Sequence, residues 1–144
     1  TFDESFYLQN KLPFEKRWES FFVERDFDAE NRLYEKFELI KNEYVFIHDD
    51  SDRNYNIDER HLEHKNLRII RPIKGITNNI FDYCKVIENS KEAHFIDSSF
   101  RLMCDSLFLK TENIHFHLKL LNNNKRNQDE YDNSTSKLNF KIIN

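Results

Sequence analysis

The stretch from His94 to Leu107, HFIDSSFRLMCDSL, limits what this chain can fold into more than any other. Its first residues are apolar apart from His94, which suits a strand, and they run into an Asp97-Ser98-Ser99 corner. Beyond the corner, Phe100, Met103, Cys104 and Leu107 recur at i, i+3, i+4 and i+7, the spacing of one helix face. A strand that turns straight into a helix leaves the first backbone N–H groups of that helix without intrahelical acceptors. Those donors, with the helix dipole behind them, suit an anion such as a phosphate. Ser98 or Ser99 also reads as a plain N-cap, a role serine often fills. The corner alone supports both readings.

The surrounding chain supplies strands and helices in alternation. Asp28–Lys41 is a predicted surface helix with Leu33, Phe37 and Ile40 on one face and Asp28 as its cap. Tyr44-Val45-Phe46-Ile47 is short enough for a buried strand, and it ends in the polar loop His48–Arg53. Tyr55-Asn56-Ile57 reads as a brief strand or as loop. Leu67–Ile73 is the second good strand, closed by Pro72 and Gly75. Only about a dozen residues separate it from the polar loop, near the minimum for a parallel crossover. A helix capped by Asn78 or Asn79 follows, with Ile80, Phe81, Cys84 and Ile87 on one stripe. Such alternation predicts an α/β domain, a Rossmann-like, mostly parallel sheet flanked by helices. Ligands of such sheets sit beyond the carboxyl ends of the strands. Three of those ends carry polar groups here: His48–Arg53, Arg71–Lys74 and Asp97–Ser99.

The two ends of the chain read differently. Residues 1–27 form an aromatic-rich packing or linker segment, with a short helix expected over Ser5–Leu12 and ended by Pro13. Residues 28–121 make up the Rossmann-like domain, and residues 122–144 a polar loop with a closing strand through Leu138, Phe140 and Ile142. Ile114–Leu118 alternates apolar and polar, which predicts a half-exposed edge strand. On it, His115 and His117 share a face that reads as solvated, with no third metal ligand in view.

Composition narrows the function classes. A length of 144 residues suits one domain with a real core. A net charge of −4 with both signs interspersed argues against a nucleic-acid footprint. One glycine in the whole chain excludes the dinucleotide fingerprint and the P-loop. Cys84 and Cys104 fall on apolar helix faces at a spacing unlike any zinc pattern, so free buried thiols are expected. No apolar run approaches a membrane span and no leader is evident, which fits a cytoplasmic location. The opening residues read as mid-protein sequence, so a fragment of a longer chain is expected.

The order helix, strand with polar loop, strand, helix, then AHFIDSSFRLMCDSL is similar to the donor-binding, C-terminal half of GT-B glycosyltransferases. The likeness is greatest to heptosyltransferase-like and fucosyltransferase-like members and spans roughly residues 28–110, although the glycines common in those enzymes are missing. The resemblance implies a nucleotide-diphosphate sugar lying across the strand ends, as substrate, with no other cofactor and no resident metal. Ser98 and Ser99, beside Asp97 and Phe100, would hold the pyrophosphate with the following amides. Arg53 would neutralise the same phosphates, its fork suiting that task, with His48 in the same loop. Arg71, Pro72 and Lys74 would lie beside the base and ribose. The acceptor and any general base would come from an N-terminal domain, so this chain alone would be inactive.

Three other readings compete. Asp50-Ser51-Asp52 fits a D-x-D motif, in which two carboxylates hold Mn²⁺ against a nucleotide sugar in a GT-A-type transferase. Acyl transfer by Ser98 or Ser99 lacks the G-x-S-x-G elbow that such a serine needs. A non-catalytic α/β interaction module would bind a protein partner or itself through Phe14, Trp18, Phe21 and Phe22.

Overall fold

The computed structural model describes residues 2–107, 109–111, 113–118 and 138–143. Two short helices, α1 (Phe2–Gln9) and α2 (Lys16–Glu19), precede α3 (Phe27–Lys36). The first strand, β1 (Tyr44–His48), leads through two three-residue 3-10 turns, Ser51–Arg53 and Glu59–His61, to β2 (Arg68–Ile70). A 3-10 turn over Ile80–Tyr83 runs into α4 (Cys84–Glu88), which is followed by β3 (Glu92–Phe95), α5 (Ser99–Ser106), β4 (Ile114–His117) and β5 (Lys141–Ile143).

All five strands are parallel, in the order β2-β1-β3-β4-β5. The chain turns back on itself at the boundary between β1 and β3, because β2 lies on one side of β1 and every later strand on the other. One sheet face is covered by α3, α4 and α5. Phe46, Ile70, Phe95 and Phe116 from the strands pack there against Leu33, Phe37, Tyr83, Ile87, Phe100 and Met103. Among the described residues the opposite face is covered by the β1–β2 crossover, where Val45, Ile47 and Ile96 meet Ile57 and Leu62.

Local chemistry explains where these elements start and stop. Asp26, not Asp28, caps α3, its carboxylate accepting from Ala29 N–H at 2.9 Å. That helix ends at Lys36 because Glu38 takes a left-handed φ of 52° and Asn42 one of 63°. The expected continuation to Lys41 is thereby cut, and Ile40 turns out to solvent at 62% exposure. Asn79 caps the turn before α4 through Phe81 N–H, and Ser98 caps α5 through Arg101 N–H at 3.5 Å. The second strand keeps only three of the seven residues expected, and Asp50 and Tyr55 form an isolated bridge rather than a strand. The helix expected over Ser5–Leu12 lies earlier, over Phe2–Gln9, and stops before a left-handed Lys11 with φ 55°.

The largest correction concerns β4. It lies between β3 and β5, and Ile114, His115, Phe116 and His117 are all buried. The alternation that resembles a half-exposed edge marks a strand with an apolar face and an imidazole face, both covered. The polar loop expected over residues 122–137 lies outside the described residues. Among those that are described, no helix is long and apolar enough to cross a membrane.

Candidate functional site

The carboxyl ends of β1 and β3 flank the point where the strand order reverses, the usual position of a ligand crevice in an open parallel sheet. From β1 come His48, Asp49 and Asp50; from β3 come Ile96, Asp97, Ser98 and Ser99. Ser99 is exposed, and Asp97 and Ser98 are half-buried. Ser98 keeps its hydroxyl oxygen on Arg101 N–H, and Asp97 pairs with the Arg101 guanidinium at 3.1 Å.

The arginines around this end are held by carboxylates. Arg53 donates from Nε to Asp50 at 2.6 Å and lies 5.7 Å from the Tyr55 ring, yet 69% of its side chain stays exposed. That hydrogen bond holds the Asp50 carboxyl below its ordinary range. Arg71 reaches Asp49 at 3.3 Å and Glu59 at 3.4 Å, which ties the end of β2 to the loop after β1. Asp49 also accepts from Ile57 N–H at 3.1 Å. Lys74 is exposed and Pro72 half-buried. Phe100, expected at the donor, is a core side chain; its ring stacks on His48 at 4.3 Å and meets Phe46 and Tyr83 beneath. Burial, more than the nearby Asp49 and Asp50, sets the His48 pKa below its ordinary value. Its Nδ1 is buried and, among the described residues, has no hydrogen-bond partner.

The D-x-D stretch is spent locally. Asp50 caps the Ser51–Arg53 turn and commits both oxygens to Arg53, one to the backbone N–H and one to the side chain. Among the described residues, neither of the two groups with converging metal-type ligands includes Asp50 or Asp52.

Those two groups lie on the crossover-covered face of the sheet, the face on which His115 and His117 were expected to meet solvent. His94 on β3 sits in register beside His115 on β4, their rings parallel at 4.2 Å. Glu92 Oε1 lies 3.2 Å from His94 Nε2, and Glu92 Oε2 lies 2.7 Å from His64 Nδ1. His94 Nδ1 and His117 Nε2 are 2.9 Å apart, one donating to the other. Glu63 N–H donates to Glu92 at 3.1 Å, while the Glu63 carboxylate takes Lys141 and Asn113. Burial, reinforced by the neighbouring imidazoles, pulls the His94 pKa down to about 4 and that of His117 to about 3. Burial opposes the Glu92 carboxylate, but hydrogen bonds from His64 and His94 outweigh it and hold its pKa below the ordinary value. The signal in the sequence was the pair of i, i+2 motifs, Glu92/His94 and His115/His117; the register that joins them is invisible without the sheet.

A cleft of about 420 Å³ opens at the amino ends of β1, β3 and β4, lined by Lys41, His64, Lys91, Lys110 and Asn113 among others. It lies at the opposite end of the sheet from the strand-order reversal. Cys84 and Cys104 are free and buried, and burial pushes the Cys84 thiol up to about 12.

Compared with known proteins, the chain matches no family model, no curated protein and no solved structure.

Proposed function

We propose that this domain holds the diphosphate of a nucleotide-sugar donor across the carboxyl ends of β1 and β3, as the donor-binding half of a GT-B-type glycosyltransferase. One observation carries the reading: the strand order puts the His48–Arg53 loop and the Asp97–Ser99 corner on the two sides of the reversal point. The first amides of the eight-residue α5 offer donors to phosphate oxygens there. Arg53 supports the same reading, because an exposed pair with Asp50 is screened by water and exchanges readily for a more highly charged partner. In transfer, these groups would stabilise charge developing on the departing nucleoside diphosphate. The acceptor and any general base would come from a partner domain.

Calorimetric titration with UDP, GDP, ADP and CMP derivatives tests the proposal. At least one diphosphate should bind, and Arg53→Ala should weaken it roughly tenfold or more through loss of a charge-assisted contact. Ser98→Ala combined with Ser99→Ala should weaken it further, in protein shown to keep α5. Unchanged affinity in both variants would place the phosphates elsewhere.

A second reading, a non-catalytic interaction module, rests on a different observation. Trp18 is buried within the chain itself, but Phe6, Leu8, Leu12, Phe21, Phe22 and Phe27 are exposed, Phe22 to 84%. So much apolar surface in one short segment fits contact with another protein surface. Light scattering should then show association that Phe21→Asp/Phe22→Asp abolishes; a monomer before and after counts against self-association.

A further inference from the structure

Interior strands of a parallel sheet, buried on both faces, ordinarily read as near-continuous apolar runs. On the helix-covered face β3 and β4 obey that rule with Ala93, Phe95, Ile114 and Phe116. On the crossover face the same strands present Glu92, His94, His115 and His117, all buried. One ligand atom each from Glu92, His94 and His115 lies within 4.8 Å of the other two. Tetrahedral coordination at zinc-like bond lengths separates neighbouring ligand atoms by about 3.4 Å, so an ion would draw the set together and tilt the two parallel imidazoles out of their stack. Glu92 Oε1 and His94 Nε2, 3.2 Å apart, are already that near.

We infer that Glu92, His94 and His115 bind a divalent transition-metal ion of the zinc type, in a buried site that fastens the β1–β2 crossover to the sheet. Two imidazoles and one carboxylate form a nitrogen–oxygen set suited to zinc. A dication also answers an electrostatic need. Glu92 is wholly buried, and among the described residues no lysine or arginine pairs with it. A buried carboxylate without a cation is costly.

Hydrogen bonds from neighbouring groups reach all three ligands. His64 holds the second oxygen of Glu92, and His117 accepts from His94 Nδ1 when His94 keeps its lone pair on Nε2. His115 Nε2 lies 3.0 Å from Asn113 Oδ1, a bond that ligation through Nδ1 would keep and ligation through Nε2 would displace. Such outer partners fix tautomers and ring orientations at metal centres. Because His64 and Glu63 belong to the crossover, the same contacts tie that segment to the ligands. An entry path exists as well: His64 and Asn113 both line the 420 Å³ cleft at the amino ends of the strands.

The alternative is a metal-free hydrogen-bond chain, in which His117 donates to His94 and His94 to Glu92. Stripping the full chain with chelator and titrating Zn²⁺ against a chromogenic competitor separates the two. One zinc per chain is expected, together with a rise in Tm of several degrees at saturation. Co²⁺ should give the visible absorption of a tetrahedral nitrogen–oxygen site. Glu92→Gln and His115→Gln, checked for folding by near-ultraviolet circular dichroism, should lose affinity by about 100-fold or more, taking the outer-partner effect as a floor. His64→Ala, at a half-buried position outside the three ligands, should lose about 10–100-fold and, checked for folding in the same way, gives a further readout if the other variants fail to fold. His61→Ala, on the exposed side of the turn, should bind as the parent does. Absence of stoichiometric zinc, undiminished binding in the folded Glu92, His115 or His64 variants, or a thiolate charge-transfer band assigning cobalt to Cys84 or Cys104 would each overturn the assignment.

Discussion

The two faces of the sheet are built to different rules. The helix-covered face is a continuous apolar layer in which Phe46, Phe95 and Phe100 form a run of ring contacts 5.8–6.0 Å apart. The crossover face has only a small aliphatic cluster over β1, then passes into imidazoles and carboxylates over β3 and β4. The first face buys stability through area removed from water. The second can be stable only while every buried polar atom keeps a partner and the imidazoles keep their protonation state. Stability thus resides mainly on one side of the sheet and conditional chemistry on the other.

The sharpest way to break this comparison is to open a cavity under the helices. Phe46 is completely buried among Tyr83, Phe95 and Phe100. Phe46→Ala should cost about 3–5 kcal/mol in urea unfolding, the range for a large aromatic removed from a packed core. A loss under about 1 kcal/mol would mean that this face is loosely packed and the contrast is false.

The contrast also explains what could be read from the sequence. The apolar runs of β1 and β3, the polar corners after them and the Ser98 cap were legible because each is a local pattern with a local cause. Alternating α and β segments then led to a parallel sheet. The imidazole face was not legible. Alternate polar residues usually mark a solvent face, and only the pairing of β3 with β4 reveals that His94 and His115 are neighbours under cover. The helix stop after Lys36 was equally hidden, because a left-handed Glu38 is not a residue that announces a turn. At the strand ends proposed to hold a donor, the polar loops were legible in the sequence, but the partners that hold Arg53 and Arg71 emerge only from the folded geometry.

Acid should act on the second face first. In metal-free protein the His94 pKa is near 4 and that of His117 near 3, against an ordinary value of about 6.5 in the unfolded chain. The unfolded state therefore binds more protons below pH 6.5, so stability falls as pH falls. Each imidazole removes up to about 1.4 kcal/mol per pH unit within its window. For His94 the window runs from 6.5 to about 4, and for His117 on to about 3. Below the ordinary carboxylate range, protonation of Glu92 adds to the loss. Urea unfolding at pH 7, 6 and 5 with chelator present should show this decline, and His117→Gln should flatten it. A constant stability from pH 7 to 5 would mean that water reaches these rings and the face is not the dry layer described.

The smallest effect is expected one residue along β1 from the first. Ile47 points to the crossover and packs with Val45, Ile57, Leu62 and Ile96. It is as completely buried as Phe46, so exposure alone predicts equal sensitivity. Its cover, however, is a segment whose only described helical structure is two three-residue turns. Such a segment can settle into a cavity more readily than a helix locked by its own hydrogen bonds, and the cost of truncation depends on that settling. Ile47→Ala should therefore fall near 2 kcal/mol, the low end of the aliphatic range, and hydrogen exchange should show amides of residues 57–62 opening more often while those of α4 stay protected. A loss as large as that from Phe46→Ala, with protection falling across the whole sheet, would mean that the crossover is as rigid a cover as the helices.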